Sequence, residues 1–174
     1  MKFLKTILLI TILAVVTALP LTALSMGRLG EPFEREGNTW QKVYYEDEKR
    51  SIQADIPGSP IAGFSNGLCY LYSQYQNVNY EVHLTPSEKF KAPKKIDEFI
   101  ALFKNIPNAT IHPLVSDQRK VRYMVQVEQF NETKTTCLAV ARIYATEDTL
   151  YYAIVEGNNF DLADSFFNSV KILN

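Results

Sequence analysis

TTCLAVARIY at residues 135–144, ATEDT at 145–149, LYYAIVE at 150–156 and, after Gly157-Asn158-Asn159, FDLADSFFNSVKIL at 160–173 decide how this chain folds. The first and third stretches are rich in β-branched and aromatic residues, and the polar segment between them is of the kind that joins hairpin strands. In the last, Phe160, Ala163, Phe167 and Val170 recur at helical spacing, with Asp161 and Asp164 in the first turn, where a helix N-terminus favours negative charge. The expected close of the fold is strand, turn, strand, loop, and a helix over 160–173.

The rest of the chain reads as more sheet. Residues 40–45 and 51–56 are expected strands, the second placing Ile52, Ala54 and Ile56 on one face. Residues 68–84 form a hairpin pattern. With Asn77 and Val78 as its turn, Tyr75 faces Tyr80, Ser73 faces Val82 and Leu71 faces Leu84, while the other face holds Tyr70, Tyr72, Gln74, Glu81, His83 and Thr85. Residues 94–105 carry Ile96, Phe99, Ile100 and Phe103 at the spacing of an amphipathic helix stopped by Pro107, and a short extended piece follows at 110–115. Residues 120–130 pair with 134–144. With Phe130 opposite Thr135, Val121, Tyr123, Val125 and Val127 share a face with Leu138, Val140, Tyr144, Tyr151, Ala153 and Val155, and Met124, Ala139, Ala141, Ile143, Tyr152 and Ile154 share the other.

Strands that are apolar on both faces need cover on both sides. The expectation is therefore an α+β fold, an antiparallel sheet of about six or seven strands covered by helices on both faces.

Composition sets the compartment more readily than the activity. The chain has 174 residues, 47% of them hydrophobic and 21% charged, which suits a globular domain with a real core. Its start, with Lys2 and Lys5, an apolar run at 7–19, Pro20 and the small-residue pattern Ala23-Leu24-Ser25, reads as a signal peptide over 1–25. The competing reading is an uncleaved membrane anchor. Residues 26–39 read as a flexible leader and 40–174 as one domain. Losing Lys2 and Lys5 moves the formal charge from −1 to −3, which excludes an electrostatic case for nucleic acid. The expected protein is exported, periplasmic or secreted. Cys69 and Cys137 are candidates for a disulfide in an oxidising compartment, or for two buried thiols. Asn108-Ala109-Thr110 and Asn131-Glu132-Thr133 are glycosylation triplets that matter only in a eukaryotic source.

The ending Arg142-Ile143-Tyr144, Leu150-Tyr151-Tyr152, Gly157, then Asp164 to Leu173 resembles the close of PsbP-like domains. In that family a hairpin leads through a glycine loop into a terminal helix with paired phenylalanines. The family includes the extrinsic subunit of photosystem II, shares its fold with a Ran-binding nucleotide-release factor, and extends to secreted bacterial proteins. The resemblance implies an adaptor or binding module without catalysis, with no cofactor.

Three groups of residues bear on chemistry. Gly63-Phe64-Ser65-Asn66-Gly67 matches the nucleophile elbow of serine hydrolases, followed in order by Asp97 and His112, but its confirming context is a strand before the serine and a helix after it. A Gly/Ser/Asn turn into the hairpin is the simpler reading. His83 and His112 lie in no metal-ligand spacing. Tyr70, Tyr72 and His83, with Lys89, Lys91, Lys94 and Lys95, form a candidate docking surface for a protein or membrane-associated complex. Against this, the first helix is expected to cover the tyrosines. An apolar ligand held between sheet and helix is the alternative partner.

Overall fold

The computed structural model describes residues 27–46, 50–65, 68–85 and 93–173. The expected signal segment lies outside these residues, as do Asn66, Gly67, Lys89 and Lys91.

In chain order the elements are β1 (Gly27–Arg35), β2 (Asn38–Glu46), β3 (Ser51–Pro57), β4 (Ile61–Ser65), β5 (Leu68–Tyr75), β6 (Val78–Leu84), α1 (Ile96–Ala101), β7 (Ala109–Leu114), β8 (Tyr123–Phe130), β9 (Cys137–Ala145), β10 (Leu150–Glu156), α2 (Ala163–Ser169) and β11 (Lys171–Ile172). They form two antiparallel sheets, one of four strands in the order β1-β2-β3-β11 and one of seven in the order β4-β5-β6-β10-β9-β8-β7.

This corrects the expected fold class. A seven-stranded sheet is present, but helices do not cover both of its faces. A second sheet covers the inner one. Trp40, Val43, Tyr45, Ile52, Ala54 and Ile56 from the four-stranded sheet join Leu71, Tyr80, Val82, Tyr144, Tyr151 and Ala153 from the seven-stranded sheet in one core, which α2 completes with Phe166 and Phe167. The reason is the number of strands in the first third of the chain. β2 and β3 bring a full apolar face of their own, which can be buried only against another sheet.

The other helix serves the opposite face. Phe99 and Phe103 of the α1 region pack on Val125, Val127, Ile143, Ala145 and Leu150, so α1 covers only the β8–β9–β10 end of the outer face.

Three local differences have clear causes. Gly27–Arg35, read as leader, is an edge strand whose burial shows no simple alternation, so its pairing with β2 rests on ladder hydrogen bonds that no period announces. The β8–β9 register is shifted by an odd number of residues from the expected one. Val125 faces Ile143 and Phe130 faces Cys137, with an irregularity between Gln129 and Phe130, so Val125 and Val127 lie on the face of Ile143 rather than that of Val140. The terminal helix stops at Ser169, because Lys171 and Ile172 leave it to pair with Gln53 and Ile52 of β3.

One glycine turns the chain from one sheet to the other. Gly58 has φ 81, and its amide donates to the Thr39 carbonyl at 2.8 Å. Ser73 Oγ donates to the Pro57 carbonyl at 2.6 Å, pinning the end of β3 against β5. A Cβ at Gly58 would come within 3.0 Å of both Ser73 and Tyr75, so the left-handed backbone and the close approach both require glycine.

Candidate functional site: the uncovered half of the outer face

The β5–β6 turn consists of Gln76 and Asn77, both with positive φ, rather than Asn77 and Val78. Tyr75 therefore faces Val78. The slip is two residues, so each side chain stays on its expected face. Tyr70, Tyr72, Glu81 and His83 do share the outer face.

Pairing across the sheet arranges that face in rows. One row runs Gly63, Tyr70, His83, Tyr152, Ile143, Val125, Pro113; the next runs Ile61, Tyr72, Glu81, Ile154, Ala141, Val127, Ile111; a third runs Gln74, Asn79, Glu156, Ala139, Gln129, Ala109. Each row changes character along its length. At the β9–β7 end the first two rows are aliphatic and lie under α1; at the β4–β10 end they carry Tyr70, His83 and Tyr152, and Tyr72 and Glu81, while the third row is polar there, with Gln74, Asn79 and Glu156.

Among the described residues, therefore, no helix provides the expected cover over Tyr70 and Tyr72. Both tyrosines are half-buried, and Ile61 beside Tyr72 is 57% exposed. Gly63 explains how Tyr70 is seated: a Cβ there would fall 2.6 Å from Tyr70 Cε1, so the ring lies flat across the glycine of the neighbouring edge strand.

Polar contacts knit the patch together. His83 Nε2 lies 2.6 Å from Glu81 Oε2, and the His83 ring is tilted against Tyr70 with centroids 6.3 Å apart. The Tyr72 hydroxyl donates to Asn79 Oδ1 at 3.2 Å. Burial raises the pKa of Glu156, Asn79 offsets this in part by hydrogen bonding, and the Glu81 charge raises it further. Tyr72 is raised by burial, then by Glu81 and Glu156, while burial pushes Tyr152 up to about 12. These shifts agree with a face on which negative charge is crowded and partly desolvated.

Of the four expected lysines, Lys89 and Lys91 lie outside the described residues, and Lys94 and Lys95 do not join the surface. Lys94 and Lys95 are exposed at the start of α1, where the Lys94 carbonyl accepts from the Tyr123 hydroxyl of β8 at 2.7 Å. Since β8 stands four strands from β5, the strand that Lys94 contacts is about 19 Å across the sheet from the one that carries the tyrosines.

The hydrolase constellation is not assembled. Ser65 ends β4 paired to Leu68 and is followed by strand β5, not by a helix. β4 and β7, which carry Ser65 and His112, are opposite edges of the seven-stranded sheet. His112 instead faces Glu128 at 3.6 Å.

Cys69 and Cys137 carry no disulfide. Cys69 is on β5 and Cys137 begins β9, three strands away and offset along them by seven residues, because the row through Cys69 meets β9 at Tyr144. The separation of about 25 Å is far beyond the ~7 Å Cα limit for a bridge. Among the described residues no group of three His, Cys, Asp or Glu side chains is placed to hold a metal ion. Nor is any helix among them long and apolar enough to cross a membrane.

No protein-family model matches the chain, and no curated protein matches it.

Sequence reasoning placed Tyr70, Tyr72, Glu81 and His83 together but did not bring Glu156 to them. That contact needs the pairing of β6 with β10, across more than sixty residues of chain; the only signal for it was the doubly apolar character of β10.

Proposed function

We propose that this chain is an exported, non-enzymatic binding module that docks a protein partner through the β4–β5–β6–β10 part of its outer sheet face. The observation that carries this reading is the placement of α1, which covers the aliphatic end of that face and leaves Tyr70, Tyr72 and Ile61 accessible beside it. Half-exposed tyrosines offer large contact area with polar tips at low cost in side-chain entropy, as protein-recognition surfaces require. Trp40, Tyr45, Tyr80, Tyr144, Tyr151 and Phe166, all fully buried, pack the space between the sheets, which favours docking over carriage of an apolar ligand. The resemblance of residues 142–173 to the close of PsbP-like domains supports the same kind of role, and the residue pattern of the first 25 positions supports export.

The test is co-purification from the native host with paired substitutions. Tyr70→Ala with Tyr72→Ala should abolish recovery of a specific partner at unchanged fold, whereas Thr110→Ala with His112→Ala on edge strand β7 should not. Equal recovery with both variants would remove this reading.

A further inference from the structure

On the outer sheet face, among the described residues, the strands present hydrogen-bond acceptors and no cationic side chain. None of the residues in its three rows is Lys or Arg. Glu81 and Glu156 are diagonal neighbours there, since Glu81 pairs with Ile154 and Glu156 with Asn79. Two carboxylates so placed repel each other, and a hydrogen bond from Asn79 offsets that in part at Glu156.

A second observation points the same way. His83 is 4% exposed, and its Nε2 sits 2.6 Å from Glu81 Oε2. An ionised carboxylate only accepts, so Nε2 holds the shared hydrogen; in the neutral ring Nδ1 is then a bare acceptor. Nδ1 is buried and has no hydrogen-bond partner. A buried acceptor left unmet costs about 1–3 kcal/mol, a penalty that a donor would relieve.

Tyrosine rings surround these acceptors. Tyr72 lies across from Glu81, Tyr152 across from His83, and Tyr70 on the far side of His83. Carboxylates, an unmet imidazole nitrogen and aromatic faces are together the chemistry that holds a guanidinium or ammonium group, through charge-assisted hydrogen bonds and cation–π attraction.

We infer that the patch of Glu81, Glu156 and His83, walled by Tyr72 and Tyr152, takes a basic side chain, arginine or lysine, presented by the protein partner. This rests on the docking reading and names the chemistry it recognises. Glu81, whose side chain is 22% exposed, is the carboxylate that such a group meets from solvent.

The experiment is an NMR titration of backbone amides with three pentapeptides, Gly-Gly-Arg-Gly-Gly, Gly-Gly-Leu-Gly-Gly and Gly-Gly-Glu-Gly-Gly. The arginine peptide should shift amides of β5, β6 and β10, and Glu81→Gln with Glu156→Gln should weaken that binding on the order of tenfold or more. An unchanged amide spectrum of the free variant away from the patch shows that its fold is intact. Shifts by the leucine peptide alone would overturn the basic-group assignment and leave the docking reading standing. Shifts by the arginine peptide that persist equally in the double variant would also overturn it. No shift at these strands with any of the three would overturn both.

Discussion

The ring of Tyr70 occupies the space that a side chain at residue 63 would need: a Cβ on Gly63 would stand 2.6 Å from Tyr70 Cε1 and closer still to Cζ and the hydroxyl. The first glycine of the elbow-like Gly63-Phe64-Ser65-Asn66-Gly67 stretch is thus the seat of an aromatic ring on the outer sheet face. Gly63→Ala should cost about 1–3 kcal/mol through overpacking. In Tyr70→Ala the same glycine substitution should cost much less, because the clash is gone. Urea denaturation of the two single variants and the double variant gives the coupling; additive losses would show that Tyr70 is not what Gly63 accommodates.

Glu156 supplies a pH-dependent prediction. Its pKa is raised in the fold, chiefly by burial. The folded state therefore prefers the protonated acid, so this stability contribution is fully present below the ordinary carboxylate pKa and is lost as pH rises through the raised value. Glu156→Gln, neutral at every pH, should melt above wild type at pH 7 and converge with it as the pH falls below 4.5. Thermal melts across that window check the sign; a variant less stable at pH 7 would mean that Asn79 and other contacts outweigh burial.

Phe166 and Phe167 anchor α2 differently. Phe166 is fully buried and meets Tyr80 edge-on, with centroids 5.5 Å apart, whereas Arg142 stacks over the Phe167 ring at 4.8 Å. Phe166→Ala should cost about 3–5 kcal/mol. Arg142 also donates to Gln126 and Asn168 at 3.1 Å each, so Arg142→Met should loosen α2 from β9 before global unfolding. Amide exchange in residues 163–169 that accelerates ahead of the β9 amides is the expected signature.

Arg35 of edge strand β1 reaches across β2 to β3 in the small sheet. It reaches Asp55 Oδ2 at 2.8 Å and lies over the rings of Trp40 and Phe33 at 4.3 and 5.3 Å. With side-chain exposures of 31% and 14%, the pair falls between surface and buried cases. Asp55→Ala should accordingly cost about 1–3 kcal/mol. A melting temperature unchanged in moderate salt would place Arg35 among stacking contacts alone.

Much of this architecture is visible in the sequence wherever a period-two pattern is local. The β5–β6 and β9–β10 hairpins were legible because each strand alternates and each turn is short. Even the wrong turn residues at Asn77 and Val78 left the faces correct, since a slip of two preserves parity. The β8 faces were not legible, because the loop at 131–136 and the irregularity at Gln129 and Phe130 add an odd number of residues. Residues 170–172 carry an apolar spacing that serves helix or strand equally, and only β3 decides between them. The Cys69 and Cys137 pair illustrates the same limit: both were placed in strands, but their separation depends on strand order, which is a long-range property. Intact-mass measurement should accordingly show both as thiols.

The docking claim is tested most directly by a photo-crosslinking residue placed at Tyr72 and, separately, at His112 on the opposite edge of the sheet, with illumination in the native host. The account predicts one discrete crosslinked protein from position 72, weakened by Glu81→Gln with Glu156→Gln, and none from position 112. A product from position 112 alone, or the same products from both positions, would contradict it.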